Sequence, residues 1–151
     1  MSPQVSFYIL QDETLEARAW FACRLADKAW RNGVRTHLHV TNPKDVTALD
    51  SMLWSYREDS FLPHVNLDKH STDTDTIPEP VTLGSSHDLL TSREGLLINL
   101  GDDIPKNLDS FERIAEVVVQ EPSSLELART RFRQYKERGM PPKHQKVGQP
   151  S

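Results

Sequence analysis

Three groups of residues in this chain of 151 are of types that could do chemistry. Ser86, His87 and Asp88 stand side by side, the three side chains of a nucleophilic triad. A triad is defined by spatial geometry, and no GxSxG elbow occurs, so adjacency reads better as a polar loop. His37 and His39 are two apart in an alternating stretch, which puts both rings on one face of a strand at a spacing that can bind metal. Nothing nearby in sequence supplies a third or fourth ligand, so a packed or surface pair is expected. Cys23, the single cysteine, falls within an amphipathic helical pattern. There it reads as a small core residue with nothing to activate its thiolate. One cysteine also excludes an internal disulfide framework and a cysteine-rich zinc site.

A cofactor site is equally thin. An apolar strand followed by a helical pattern opens the chain as nucleotide-binding units do. The turn between them is Gln11-Asp12-Glu13-Thr14, with two carboxylates and no glycine. A pyrophosphate needs close approach to backbone N–H groups and would meet negative charge here. Neither GxGxxG nor GxxxxGK[ST] occurs. No cofactor is expected.

The strongest constellation lies near the C-terminus. Residues 1–123 hold 11 Lys/Arg against 20 Asp/Glu, whereas residues 124–151 hold 7 against 2. An acidic body with a basic end suits either an anionic partner or a solvated basic helix. Within 124–138, Leu125, Ala128, Phe132 and Tyr135 form one apolar stripe, and Arg129, Arg133 and Lys136 form a basic ridge beside it. An apolar pocket rimmed by cations fits a short acidic peptide ending in a hydrophobic residue, whose carboxylate takes charge-assisted hydrogen bonds from Arg. The same ridge could grip nucleic-acid phosphates, although the acidic body would repel a long polyanion.

Several elements must position these residues. Val5–Leu10 reads as a buried first strand. Thr14 precedes a helical pattern in which Leu15, Ala19, Ala22, Ala26 and Ala29 recur at three- and four-residue steps, stopped at Asn32-Gly33. Residues 36–40 form a second strand. Asn42-Pro43 starts a helix running to about Trp54, with Asp45 near its positive end. Pro63 argues against a central strand at 60–64. The polar stretch 68–80 reads as a surface loop, and Val81-Thr82-Leu83 as a short edge strand. Strands follow at 96–100 and 113–120, with a turn of helix at 108–111. Ser123 or Ser124 caps a last helix over 125–138, stopped by Gly139. The prediction is an α/β fold, three-layer α/β/α with a mainly parallel sheet, nucleotide-binding-like but without a nucleotide site. Residues 1–139 form one domain and 140–151 a disordered tail.

Composition sets the outer bounds. At 36% hydrophobic and 26% charged residues, the chain is polar for a globular protein but short of the disordered class. No apolar run is long enough for a membrane helix, and Met1–Gln4 lacks the start of a signal peptide. A reduced, cytoplasmic protein is expected.

Taken in order, FYIL (7–10), AWRNG (29–33), LW with SFLPH (53–54 and 60–64) and LARTRFRQYKERG (127–139) resemble the chi subunit family of bacterial DNA polymerase III. The match extends over about residues 5–139. The resemblance implies a non-catalytic adaptor that links single-stranded DNA-binding protein to the clamp-loader complex and meets DNA only through that partner. One surface takes the acidic, Phe-ending tail of that protein, here through Arg129, Phe132 and Arg133, with Arg131 and Lys136 contributing less. Phe132 stands where the family often carries Tyr. A second surface takes the psi subunit or a counterpart, and Trp54, Phe61, Pro63 and His64 match it. Read from the residues alone, Trp54 is either an interface anchor or the lid of the core beneath the middle loop. Direct binding of single-stranded nucleic acid is the alternative, followed by a small α/β enzyme.

Overall fold

The computed structural model describes residues 3–55, 62–68, 81–86, 94–106 and 108–147. Strand β1 (Gln4–Ile9) leads into helix α1 (Leu15–Arg31), then β2 (Thr36–His39) and α2 (Pro43–Ser55). Short strand β3 (Val65–Asn66), β4 (Val81–Gly84), β5 (Gly95–Asn99) and β6 (Phe111–Val118) follow. Helix α3 (Pro122–Glu137) and β7 (Lys143–Lys146) close the described chain. The strands make one sheet in the order β3-β4-β2-β5-β6-β1-β7. Every pairing is parallel. The expected parallel α/β fold is therefore present, with helices on both faces of the sheet.

The two faces have separate cores. Ala22, Cys23 and Ala26 of α1 and Val46, Leu49 and Leu53 of α2 pack on Leu38, Ile98, Ala115 and Val117. On the opposite face, Ala128 and Tyr135 of α3 pack on Val5, Phe7, Leu97, Ile114 and Val118. Adjacent residues of β6 thus serve alternate cores, as the pleat requires.

Local signals explain the helix ends. Thr14 Oγ1 accepts from the Ala17 N–H at 3.1 Å, capping α1. Gly33 and Gly139 follow α1 and α3 with φ of 74° and 78°, the left-handed conformation that ends a helix.

Several expectations need correction. The cap of α3 is Glu121, whose carboxylate accepts from the N–H groups of Ser123 and Ser124, and not either serine. Pro122 occupies the first turn, where its missing N–H costs nothing, and so moves the start upstream. β4 is not an edge strand: it is buried between β3 and β2. β3, only two residues long, carried too little pattern to be seen. Phe111 opens β6 instead of closing a helical turn. Residues 143–146 form edge strand β7 beside β1, Phe7 opposite His144, so the segment expected to be disordered is in part a strand. Its polar KHQK sequence has no apolar alternation, which is why it does not read as one.

Candidate functional site

The basic helix brings most of its predicted site residues to one exposed strip. Phe132 is half-buried, its ring centroid 5.0 Å from Phe7 in an edge-on contact and 6.4 Å from His144 of β7. Arg129, Arg133 and Lys136 are exposed around it. Phe7 holds the inner edge of the ring, so its orientation is set by the core. The outer edge lies among cations. An apolar surface ringed by guanidinium and ammonium groups is chemically suited to a hydrophobic residue carrying a carboxylate.

Arg131 does not join this strip. At about 100° per residue, two steps carry it roughly 200° around the helix from Arg129. It is 2% exposed and faces the sheet. Its expected place among the surface contacts is therefore corrected to an interior one. Arg131 Nε donates to Glu116 Oε1 at 3.0 Å, and Nη1 to the Asp102 carbonyl at 2.9 Å. The other Glu116 oxygen accepts from Tyr135 Oη and Asn99 Nδ2, each at 2.8 Å. Burial, then the Glu116 charge, hold the Tyr135 hydroxyl well above its ordinary range. Beside these four, Arg18 on α1 donates to the carbonyls of Val117 (2.8 Å) and Leu100 (3.1 Å). Burial, then the Arg131 charge, push its guanidinium down to about 10.

Sequence reasoning missed this network. The available signal was Glu116, a carboxylate in register with Ile114 and Val118 on the inward face of a strand. A charge at such a position needs a buried partner.

The second candidate surface lies at the end of α2. Trp54 is 55% exposed while its neighbour Leu53 is buried, so Trp54 is not a core lid. Its ring centroid is 4.6 Å from that of His64. His64 is itself held from below: Nδ1 donates to the Leu62 carbonyl at 2.7 Å, and Nε2 lies 3.1 Å from Asp50 Oδ1. Pro63 is half-buried beside it. Phe61 lies outside the described residues.

The other chemistry-bearing residues sit apart. His37 and His39 are both buried in β2, and His37 Nδ1 is 2.8 Å from Thr82 Oγ1 of β4. Cys23 is fully buried, and burial pushes its thiol up to about 12. His87 and Asp88 lie outside the described residues. The Gln11–Thr14 turn is exposed, and the Asp12 carbonyl accepts from the Gln120 N–H at 2.7 Å, tying the turn to the end of β6. Among the described residues no helix is long and apolar enough to cross a membrane.

Fold and surfaces together define an α/β domain with a doubly wound parallel sheet, a cationic aromatic strip on its last helix and an exposed tryptophan on its second. Residues 2–143 match the model of the family described as DNA polymerase III chi subunit, HolC. The chain belongs to that family, whose members are accessory subunits of DNA polymerase III. It is 39% identical to the DNA polymerase III subunit chi of Pseudomonas aeruginosa over 138 residues, 91% of this chain and 92% of that one. The subunits chi of Haemophilus influenzae and Escherichia coli are 30% and 29% identical. These matches cover 92% and 89% of this chain, and 94% and 91% of theirs.

Proposed function

We propose that the chain is a non-catalytic adaptor of the replication machinery. Its α3 strip takes the acidic C-terminal tail of single-stranded DNA-binding protein, and its Trp54 surface takes the psi subunit or a counterpart that joins it to the clamp loader. The observation that carries this reading is the half-buried Phe132 with Arg129, Arg133 and Lys136 exposed around it. A hydrophobic last residue of the tail packs on the ring, and its α-carboxylate takes the guanidinium fork of Arg129 or Arg133. With Phe at 132 there is no ring hydroxyl to add a hydrogen bond, so charge and apolar contact carry the affinity. Family membership supports the reading, because an accessory subunit works through its partners.

The test is a titration of a labelled acidic, Phe-terminated peptide into the protein. Saturable binding is expected, and Arg133→Ala weakens it by about 1–3 kcal/mol, the range of an interface hot spot. Wild-type affinity in that variant removes Arg133 from the site, and no binding by the native protein removes the tail-binding role. Single-stranded DNA is the comparison ligand. Contacts to many phosphates give a steep salt dependence and a short tail a shallow one, so tight, steeply salt-sensitive DNA binding favours a nucleic-acid module instead.

A further inference from the structure

A cavity of about 470 Å³ opens at the carboxyl ends of the strands, between the first turn of α1, one side of α2 and the first half of α3. Its volume lies in the range of small-molecule pockets, and its position is where open parallel sheets hold ligands. Its walls are mainly apolar, with Ala48, Leu49 and Met52 of α2, Leu100, and Leu127 of α3 among them. Arg18 and Arg131 line its inner end and are 9% and 2% exposed.

Two guanidinium groups share one buried carboxylate at that end. Glu116, the carboxylate buried there, is already engaged by Arg131, Asn99 and Tyr135. Nη2 of Arg18 and Nη2 of Arg131 are both buried without a hydrogen-bond partner among the described residues. Two guanidinium groups line one cavity while each keeps a buried donor unmet, a costly arrangement unless an acceptor joins them. The rim has the opposite sign, with Glu16, Asp45, Asp102 and Glu121. Glu121 already occupies the N–H groups that open α3. A polyphosphate would therefore find the amides that open α3 already taken and an acidic approach. A single negative charge at the end of an apolar body needs no helix-start amides and meets less repulsion from that rim.

We infer that this cavity is a binding site for a small amphiphilic monocarboxylate, its head group between Arg18 and Arg131 and its apolar body along Met52, Leu100 and Leu127. It is separate from the strip around Phe132, because Leu127 and Arg129 lie about 200° apart on α3.

The probe is octanoate, titrated into the full ¹⁵N-labelled chain, with octylammonium and inorganic phosphate run in parallel. Octanoate is expected to give saturable amide shifts at 18, 48–52, 100–102 and 127, and the other two probes none. Arg18→Met is expected to weaken octanoate binding about tenfold or more, the loss of a charge-assisted hydrogen bond. Ala48→Trp fills the cavity from an exposed helical position and should abolish binding in a protein whose remaining spectrum is native. If Arg18→Met does not fold, Ala48→Trp and the head-group comparison still decide. Absence of saturable shifts with octanoate overturns the inference. So do equal binding of octylammonium, saturable binding of phosphate, or wild-type affinity in either folded variant.

Discussion

Glu116 and Arg131 meet at 3.0 Å in the interior, one fully buried and the other nearly so. The pair joins the middle of β6 to the middle of α3. It therefore fixes how the helix lies on the sheet, and with it the rotation that turns Arg129 and Arg133 outward. A helix free to roll could bury either ridge.

Breaking this pair from one side should be severe. Glu116→Leu leaves Arg131 buried without the carboxylate it is paired to, and a loss of about 3–5 kcal/mol is expected from urea unfolding. Tyr135→Phe removes one hydrogen bond to the same carboxylate and should cost about 1.5–3 kcal/mol. A double substitution of Glu116 and Arg131 by leucines should recover much of the first loss, because no unpaired ion remains.

The exposed tryptophan is a separate matter. Trp54→Ala should leave peptide binding at the α3 strip unchanged while impairing capture of the psi subunit or its counterpart, measured by co-purification. Stability should change little, since more than half of the Trp54 side-chain surface is already in water. Loss of both binding activities would make Trp54 structural.

Alkaline pH should expose the burial of Cys23. Its thiol ionises near 9 when unfolded and near 12 when folded. The stabilisation is present below pH 9 and is lost as pH rises towards 12, at about 1.4 kcal/mol per pH unit. Between pH 8 and 10 the native protein should lose about 1.4 kcal/mol more than Cys23→Ala, by urea midpoints at each pH. A thiol reagent should label the native protein only as fast as it opens.

Two glycines at positive φ should behave differently on substitution. At Gly95, φ is 86° and a Cβ would run into the carbonyl oxygen of Arg35. At Gly139, φ is 78° and the space is open. Gly139→Ala should cost about 1 kcal/mol from backbone conformation alone. Gly95→Ala should cost clearly more, because the backbone carbonyl has no freedom to retreat, and the difference is read from thermal unfolding.

Much of the fold is legible from the sequence where local signals agree. Thr14 and Gly33 mark α1, Asn42-Pro43 marks the start of α2, and the apolar runs mark β1, β2, β5 and most of β6. What stays hidden depends on long-range pairing. β7 has no apolar pattern because an edge strand needs only backbone partners and Phe7 beside it. Arg131 reads as one more surface cation because helical spacing gives its direction but not what waits there. Only the register of β6, which turns Glu116 inward, distinguishes it from Arg129 and Arg133. Phe132 and its cations were legible for the converse reason: they lie on one helix, although Phe7 and His144, which flank the ring, do not.

The placement of β1 bears on how the chain emerges from the ribosome. Gln4 pairs with Arg113 and Ser6 with Lys143, so β1 waits for strands made more than about 100 residues later. At about 5–20 residues per second, synthesis of that interval takes several seconds or more. Throughout it, the apolar Val5–Leu10 segment has no sheet to enter. Nascent chains stalled before residue 113 should engage chaperones strongly, whereas chains released beyond β7 should not. A bulky N-terminal fusion adds delay to none of this, but truncation ahead of residue 143 would leave β1 as the new edge.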